Sequence, residues 1–429
     1  MNQSLNLNRR DFLLTAAAAS LGMGLFVEEL DAEASESLQA AQSGPPVGCA
    51  VIGLGPQGRE ILSVLAKVPN ATVQVICDTY SAPGFVKRAQ DIAPKAAFVA
   101  DYKQALSNPA VGAVFVATPS HLHKQIALDA LAAGKHVYCE APLASSLDDA
   151  KAIAQAGAAA KTVFQPGLQN RSNKMHNHVL NFVRSQAMGK VAEARAFWHK
   201  KTSWRFAAPT PDREKELNWR LFKATSLGLP GEVGVHAFDV ANWYFKALPV
   251  SVTAFGGIYF WNKDGRDVDD TVQCILEYPG GIRFLYDATL VSSFDGSQEV
   301  FMGSDSAILI RDQRGWMFKE SDAPLLGWEV YATKDKMGVG SDSTGTGVAL
   351  VADATKLLAA GQEPAKVGTD ITKSALYYAV SNFIANTKGA KLPAATAEDA
   401  YAANVIAAKI QDAVTSGAKI TFQKEWFTL

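Results

Sequence analysis

The chain has 429 residues and a formal net charge of −1 at pH 7, with 48% apolar and 19% charged residues. This length favours two domains over one, and the composition is that of a globular protein with a sizeable core. The near-zero net charge gives no indication of a nucleic-acid partner, and after residue 45 no apolar run is long enough to span a membrane.

The N-terminus has the pattern of an export signal. Arg9 and Arg10 precede an apolar, alanine-rich run, and Ala32-x-Ala34 is a plausible cleavage site. The pattern resembles a twin-arginine signal, so residues 1–34 are excluded from the fold and export to the periplasm is predicted. A membrane-anchoring helix is the alternative, and it would leave the protein tethered if the signal is not cleaved. Residues 35–46 are predicted to form a flexible linker.

The four cysteines do not suggest disulfides, although an exported protein could form them. Each lies inside or at the end of an apolar strand pattern, and their spacing fits no zinc motif. We therefore predict four small buried thiols and no metal site: Cys49, Cys77, Cys139 and Cys274.

A glycine-rich turn follows the first predicted strand, Val47–Ile52, and has the spacing Gly53-x-Gly55-x-x-Gly58. Gly53 permits a tight turn, Gly55 lets the backbone approach a pyrophosphate, and Gly58 allows close packing of helix and strand. The helix that follows offers free N–H groups and a partial positive charge to phosphates.

A second predicted strand, Ala71–Cys77, ends at Asp78, twenty residues after Gly58. A carboxylate here accepts hydrogen bonds from an adenosine ribose and repels the 2′-phosphate of NADP. The order of strand, glycines, helix, strand and acid therefore predicts a dinucleotide site, with NAD as the cofactor. Lys87 and Arg88 nearby keep NADP as the less favoured alternative.

Strands and helices alternate over residues 47–170, which predicts a doubly wound parallel sheet. Ser120 is predicted to cap the helix His121–Leu131. Residues after the strands Val114–Ala117 and Lys135–Cys139 are expected near the nicotinamide, because the carboxyl ends of parallel strands meet at the cofactor crevice. The predicted cofactor-binding residues are Gly53, Gly55, Gln57, Gly58, Asp78, Thr118, Pro119, His123 and Glu140.

Beyond residue 170 the strands alternate between apolar and polar residues and are joined by turn groups, which is typical of an antiparallel sheet. The predicted strands are Ala192–His199, Ser251–Ile258, Val272–Tyr278, Ile282–Ala288, Glu299–Met302 and Ala307–Ile310. The predicted helices cover 174–186, 234–245, 371–387 and 397–416. Residues 336–347 are predicted to form a mobile loop.

Four motifs together resemble one known family. They are the glycine motif, Ala117-Thr118-Pro119-Ser120-x-x-His123, Gly134-Lys135-His136-Val137-Tyr138-Cys139-Glu140-x-Pro142 and Gly231-Glu232-x-Gly234-x-His236-x-x-Asp239. They resemble the Gfo/Idh/MocA family, named after glucose–fructose oxidoreductase, inositol dehydrogenase and a rhizopine-catabolism protein. The resemblance extends from about residue 47 to the C-terminus.

The resemblance implies an α/β fold with two domains. The first is a Rossmann domain with a doubly wound parallel sheet, residues 47–170, and the second is an α+β domain with an open, mainly antiparallel sheet, residues 171–429. The outer face of the second sheet often serves in oligomerisation in this family, so a homo-oligomer is expected. A sugar, cyclitol or glycoside substrate would lie between the domains. Twin-arginine export is compatible with a tightly bound NAD, since the protein would fold around its cofactor before leaving the cytoplasm.

The third motif departs from the family at one position. Family dehydrogenases usually carry Glu-Lys-Pro, whose lysine contacts the hydroxyl being oxidised, whereas this chain has Glu140-Ala141-Pro142. A methyl group can neither accept a proton nor stabilise an alkoxide. Lys200, Lys201 or Lys223 could supply a replacement ammonium.

The fourth motif predicts the catalytic residues. Glu232 and His236 are four residues apart on a predicted helix and Asp239 is three further on, a spacing that puts all three on one face. The resemblance makes His236 the main proton-handling group, with Glu232 orienting it or binding substrate hydroxyls. A buried structural histidine and a carboxylate–histidine metal site remain alternatives.

Five further residues are predicted to contact the substrate. They lie where family members line the site entrance, or combine aromatic and cationic groups suited to sugars, although the tryptophan could equally be a packing residue. They are Gln169, Arg171, Lys201, Trp219 and Arg220.

Three functions follow from these residues. The first is an NAD-dependent oxidoreductase acting on a hydroxyl of a sugar, cyclitol or glycoside. The second is a glycoside hydrolase or lyase whose retained NAD is reduced and reoxidised within each cycle of oxidation, elimination and reduction. A non-catalytic sugar-binding protein is the third.

Overall fold

A computed structural model describes residues 44–185, 187–324, 334–335, 347–350 and 373–429. The predicted export signal, residues 1–34, lies outside the described residues. Most of the predicted linker at 35–46 and of the predicted loop at 336–347 lies outside them as well.

The first half of the chain forms a parallel sheet with the strand order β3-β2-β1-β4-β5-β6. Its strands are β1 (Val47–Ile52), β2 (Ala71–Cys77), β3 (Ala97–Val99), β4 (Ala113–Val116), β5 (His136–Cys139) and β6 (Phe164–Pro166). The helices between them are α1 (Pro56–Leu65), α2 (Pro83–Gln90), α3 (Tyr102–Ser107), α4 (His123–Ala132) and α5 (Leu147–Ala159). The strand order reverses at β1 and β4, so a crevice opens at their carboxyl ends.

The second half forms a sheet with the strand order β14-β15-β13-β12-β11-β7-β10-β9-β8-β16. Its strands are β7 (Val191–His199), β8 (Ser251–Gly257), β9 (Thr271–Glu277), β10 (Arg283–Thr289), β11 (Ser297–Gly303), β12 (Ser306–Arg311), β13 (Arg314–Lys319), β14 (Lys334–Asp335), β15 (Gly347–Leu350) and β16 (Ile420–Thr421). The described helices of this half are α6 (Lys174–Arg184), α7 (Glu214–Leu217), α8 (Val235–Phe245), α9 (Ala375–Thr387) and α10 (Ala397–Ser416). Among the described pairs, β7 with β10 is parallel and the others are antiparallel. The predicted α/β fold with a second, mainly antiparallel sheet is confirmed.

The local structure differs from the prediction in at least two places. The helix expected at His121–Leu131 is instead a 3₁₀ turn, Ser120–Leu122, followed by α4, and Ser120 does not cap it with its side chain. Strand β13 was not predicted. It follows a two-residue hairpin turn in which Asp312 and Gln313 have φ of 49° and 61°, a conformation usually signalled by Asn-Gly or Asp-Gly.

Helix α9 packs in the core of the first sheet, although it follows the second sheet in the chain. The ring centroid of Phe383 lies 5.2 Å from that of Phe115 and 5.7 Å from that of Tyr138. Val380 of the same helix is fully buried in this core. The domain division at residue 170 remains a prediction, and α9 packs across it.

Helix α10 joins the two sheets at the cofactor edge. Asn404 is fully buried, accepts a hydrogen bond from the Leu143 amide at 2.8 Å and donates one to the Ala144 carbonyl at 2.8 Å. These backbone groups follow the Ala141–Pro142 peptide, which is cis. A side chain from the C-terminal region therefore fixes the loop that carries the third motif.

All four cysteines are free and buried. In the part of the chain that the structure describes, no helix combines the length and hydropathy that a membrane span requires.

Candidate active site

The glycine turn between β1 and α1 leaves an open cradle. Gly53 has φ of 96°, and a Cβ there would lie 2.6 Å from the carbonyl carbon of Ala117. A Cβ on Gly58 would collide with the Gly53 carbonyl oxygen, so both positions require glycine for packing. A Cβ on Gly55 would meet nothing within 4 Å. The space beside Gly55, at the N-terminus of α1, is therefore free for a phosphate group.

Asp78, at the end of β2, is held against this turn. Its Oδ2 accepts a hydrogen bond from the Leu54 amide at 2.8 Å, and its Oδ1 accepts one from the Tyr80 amide at 2.9 Å. The Arg213 guanidinium, from the segment that precedes α7, lies 4.3 Å from the Tyr80 ring centroid. The second half of the chain thus reaches across to the ribose-binding end of the crevice.

The residues after β4 have different positions. Thr118 Oγ1 is buried and has no hydrogen-bond partner in the described part of the chain. His123 is 2% exposed, with Nε2 2.8 Å from the Thr118 carbonyl oxygen and Nδ1 3.1 Å from that of Leu143. Burial lowers the pKa of His123 to about 4, so the imidazole is neutral and donates from one nitrogen at a time. The buried His123 ring therefore lies between the loop after β4 and the loop after β5, and it donates to a carbonyl of one loop at a time. The open cradle at Gly55 and the orphaned Thr118 hydroxyl fit a bound dinucleotide.

Glu140, at the end of β5, lies beside the glycine turn. Its Oε1 accepts a hydrogen bond from Gln57 Nε2 at 2.9 Å, and a Cβ on Gly167 would lie 2.6 Å from its Oε2. Burial raises the pKa of Glu140 to about 7, and the hydrogen bond from Gln57 opposes this rise.

Glu232 lies in a π-helical turn, Pro230–Gly234, that precedes α8. Its Oε1 accepts hydrogen bonds from Ser120 Oγ at 3.3 Å and Ser226 Oγ at 3.1 Å. Its Oε2 accepts one from Arg220 Nε at 3.1 Å. Burial raises the pKa of Glu232, and the Arg220 charge opposes this rise. Glu232 thereby connects the second half of the chain to the loop after β4.

Arg220 influences both buried carboxyl groups. It pairs with Glu232, and its charge also lowers the pKa of Glu140. The guanidinium carbon lies 4.4 Å from the Trp219 ring centroid, and that ring is 6.0 Å from the His121 ring. The Arg220 side chain is 36% exposed, so it combines a fixed position with access to the crevice.

The three predicted catalytic residues do not share one set of contacts. Asp239 is buried, and its two oxygens accept hydrogen bonds from Arg171 Nη2 at 2.7 Å and Nε at 3.0 Å. His236 is half-buried, and its Nδ1 has no hydrogen-bond partner among the described residues. Burial lowers the pKa of His236 to about 4, while Glu299 opposes this. Glu232 belongs to the π-helical turn and has partners different from those of the other two, so the joint catalytic role of the three residues stays a prediction.

Arg171, predicted to bind substrate, forms ion pairs with two carboxylates, at 2.7 Å to Asp239 and 2.8 Å to Asp399. Arg171 also lines a cavity of about 730 Å³ together with Asp399 and Trp243. The lining does not include any of the cofactor-side residues described above. Gln169 begins the same 3₁₀ turn as Arg171, and neither has a hydrogen bond to Glu232 in the described structure.

The three lysines considered as replacements for the missing ammonium have other interactions in the described structure. Lys201 Nζ is 5.2 Å from the ring centroid of Phe260. Lys223 lowers the pKa of Asp269, and Lys200 is exposed at the end of β7. None of these three has a hydrogen bond to the Glu232 or Glu140 carboxylate in the described structure.

Two comparisons with family models cover most of this architecture. Residues 47–168 match the model of an oxidoreductase family with an NAD-binding Rossmann fold. Residues 176–308 match the Gfo/Idh/MocA C-terminal domain. The chain belongs to the Gfo/Idh/MocA family. Its first sheet is therefore the NAD-binding domain of that family, in agreement with the cradle at Gly55.

Two curated relatives act on unusual sugars. The 2,7-anhydro-N-acetylneuraminate hydratase of Escherichia coli is 25% identical over 239 residues, which cover 54% of this chain and 58% of that protein. The levoglucosan dehydrogenase of Pseudarthrobacter phenanthrenivorans is 28% identical over 144 residues, covering 33% of this chain and 35% of that protein. Each match spans less than two thirds of the relative.

A solved structure shows the same fold over nearly its whole length. Levoglucosan dehydrogenase in complex with NADH and levoglucosan superposes with a TM-score of 0.70 at 18% identity. The match covers 88% of this chain and 99% of that one. At this identity the likeness supports the fold of this Gfo/Idh/MocA member alone.

Some residues of this Gfo/Idh/MocA site were not predicted. Ser120 and Ser226 are both buried and donate to Glu232, and Tyr80 meets Arg213 across the crevice. Ser120 lies within the second motif, so its motif position could have been used instead of its capping propensity. The partners of Ser226 and Arg213 are set by the tertiary fold, and no local pattern indicates them.

Proposed function

We propose that this protein is an NAD-dependent oxidoreductase that oxidises a hydroxyl of a sugar, cyclitol or glycoside, or reduces the corresponding ketone. The observation that carries the proposal is the hydrogen-bonded Ser120–Glu232–Arg220 group at the carboxyl ends of the NAD-binding strands. It places a carboxylate and a partly exposed cation where a polyhydroxylated substrate would meet the cofactor. The two curated relatives with sugar substrates agree with this substrate class.

The cofactor would be held by the glycine turn, Asp78 and the Thr118 hydroxyl. When bound, NAD supplies the acceptor for a hydride from the substrate carbon. The protein supplies the remaining functions: Trp219 offers an aromatic surface for a sugar ring, and Arg220 offers donors to its oxygens. His236 is neutral near pH 7 and stays a candidate proton acceptor. Asp239 is instead held in an ion pair with Arg171, which donates to both of its oxygens.

A second candidate is a glycoside hydrolase or lyase with a retained NAD. Ala141 removes the usual lysine, and one curated relative is a hydratase of an anhydro sugar. The Arg213–Tyr80 contact across the ribose-binding end of the crevice also favours a retained cofactor. A redox-neutral cycle would need no supply of fresh NAD.

Three further assignments belong to the proposal. Residues 1–34 act as a twin-arginine signal, supported by Arg9 and Arg10 before the apolar run, and the enzyme works in the periplasm. NAD is tightly bound. The chain forms a homo-oligomer through the outer face of the second sheet, where Phe255 is 72% exposed and Ile275 is 44% exposed.

The test uses the purified protein, saturated with NAD, and a panel containing levoglucosan, myo-inositol and nitrophenyl glycosides. Nicotinamide absorbance and product formation are followed together. Accumulation of NADH would support the oxidoreductase, and release of nitrophenol over many turnovers without net NADH would support the second candidate. The absence of both for the whole panel would contradict the proposal.

A matched pair of glycine variants tests the cofactor site. In Gly55→Val the new side chain would enter the open cradle and exclude the pyrophosphate, so NAD affinity should fall by at least about a hundredfold. Gly84 is the control, because it also lies in the first turn of a helix and its Cβ would likewise meet nothing within 4 Å. Gly84→Val should bind NAD as the wild type does. Equal NAD affinity of both variants, measured by calorimetry, would refute this cofactor site.

A further inference from the structure

The substitution at Ala141 leaves the active site without the usual cation, and the structure contains a different one. Within the described residues, Arg220 is the cation bonded to the buried carboxylate Glu232. Its charge also reaches Glu140, the residue directly before Ala141. Geometry gives the same placement: Glu232, which accepts from Arg220, also accepts from Ser120 in the loop after β4. Strand β4 pairs with β5, and the Glu140 amide donates to the Val116 carbonyl at 3.0 Å, so this loop adjoins the third motif.

The contacts of Arg220 leave the two terminal nitrogens of its guanidinium available for a ligand. Nε donates to Glu232, and the guanidinium stacks on Trp219. Its two terminal nitrogens donate no hydrogen bond to the described residues, and the side chain is 36% exposed. An arginine fixed by one carboxylate and one aromatic ring presents parallel N–H donors in a defined direction.

We propose that Arg220 replaces the lysine as the cation that binds the reacting oxygen of the substrate, and that Glu232 is the positioning residue that orients it. This inference rests on the proposed function. The guanidinium stabilises negative charge on the reacting oxygen as its proton leaves, but it stays protonated throughout, since arginine does not titrate in proteins. Arg220 thus supplies the electrostatic part of the role and leaves proton transfer to another group.

The geometry of the guanidinium also restricts the substrate. Two neighbouring donors in one plane match two oxygens on adjacent carbon atoms better than a single isolated hydroxyl. A vicinal diol, as in levoglucosan or myo-inositol, satisfies both donors at once. We therefore expect the reacting hydroxyl to have a hydroxyl neighbour.

The experiment compares variants of the full chain, each saturated with NAD. The variants are Arg220→Met, Arg220→Gln, Lys223→Met and the double variant Arg220→Met with Ala141→Lys. Binding of levoglucosan and myo-inositol is measured by tryptophan fluorescence, and NADH formation gives kcat and KM. NAD affinity reports on the integrity of the cofactor domain. Lys223→Met is the matched control, because it removes a nearby cation that does not contact Glu232.

Both uncharged variants at position 220 should bind the sugars at least about tenfold more weakly, because a charge-assisted hydrogen bond is lost. Their kcat should fall more than their affinity, whereas Lys223→Met should stay within about twofold of the wild type. The double variant should regain activity and show a new ionisation on the basic limb of its pH profile, because lysine titrates and arginine does not.

Two results would overturn the inference: wild-type binding and kcat in either uncharged variant at position 220, or an equal loss in Lys223→Met. If the NAD-loaded wild type is inactive with the whole panel of sugars and glycosides, the proposed function itself fails, and this inference fails with it.

Discussion

Glu140 carries the pH dependence that is easiest to assign to one residue. Its pKa is raised from 4.5 to about 7 by burial, so between these pH values the folded state binds a proton that the unfolded state has released. Stability from this group is fully present below pH 4.5 and is lost as the pH rises to about 7. Asp239, whose pKa burial raises to about 6, contributes in the same direction. His123 and His236 contribute in the opposite direction, because their pKa values are lowered.

Glu140→Gln should remove this contribution while keeping an acceptor for Gln57. Relative to the wild type, the variant should gain stability as the pH rises from 4.5 to 7, by up to about 3 kcal/mol. Glu277→Gln is the control: Lys419 and Ser251 lower the pKa of Glu277, so its contribution to stability changes below pH 4.5 and this variant should differ from the wild type by a constant amount between pH 4.5 and 7. Thermal unfolding of the three proteins across this pH range gives the comparison. A constant difference between Glu140→Gln and the wild type would show that Glu140 does not titrate in this window.

For single residues, the sequence predicted the positions of chemically important groups better than it predicted their contacts. Gly53, Asp78 and Glu232 lie where their motifs indicated, because strand ends and glycine turns follow from local pattern. The contacts of Asp239 could not be predicted, since its partner Arg171 is 68 residues away in the chain and the π-helical turn at Glu232 interrupts the helical spacing that the prediction assumed.

Among the helices and strands, short hydrogen-bonded connections matter as much as hydrophobic packing. Asn404 on α10 satisfies two buried backbone groups, Leu143 N–H and Ala144 C=O, next to the third motif. A helix propensity scale rates asparagine poorly, so nothing local explains its place in the middle of α10. Its role becomes visible only when α10 is placed against the first sheet.

Asn404→Ala should destabilise the protein by about 3 kcal/mol, because two buried backbone groups lose their partners. The control is Asn382→Ala on α9, which removes an exposed hydrogen bond to the Pro393 carbonyl and should cost under about 1 kcal/mol. Calorimetric melting temperatures give both values. Equal shifts in the two variants would mean that the buried pair of hydrogen bonds adds nothing to stability.

The elements that the sequence predicted correctly are those with a clear period. Strands β9, β10 and β12 alternate in burial, and helix α10 has a capping box at Thr396 and Asp399. Strand β3 has three residues, and β13 lacks the usual turn residues. Prediction therefore failed where a strand was too short to show a period, or where no typical turn residues marked its start.

For the whole molecule, the proposed oligomer depends on the outer face of the second sheet. Among its described strand residues, Phe255 on β8 and Ile275 on β9 are the most exposed large apolar side chains. Large apolar groups on an open sheet face are typical of a contact between subunits.

The double variant Phe255→Lys with Ile275→Lys should sediment as a smaller species than the wild type, because two charges would be buried at the proposed interface. Phe294→Lys is the control, since Phe294 is 79% exposed but lies in the loop between β10 and β11. Analytical ultracentrifugation at several concentrations measures the result. A monomeric wild type, or an unchanged double variant, would contradict assembly through this face.

The packing of α9 has a consequence for how the protein is made. One face of the NAD-binding sheet, around Phe115 and Tyr138, is covered by Phe383. While the ribosome is still synthesising the second sheet, this face has the cover of α1 but lacks that of α9, which is complete only when translation has passed Thr387. The nucleotide-binding half is therefore translated early, and we expect its core to be completed late, after nearly the whole polypeptide has been made.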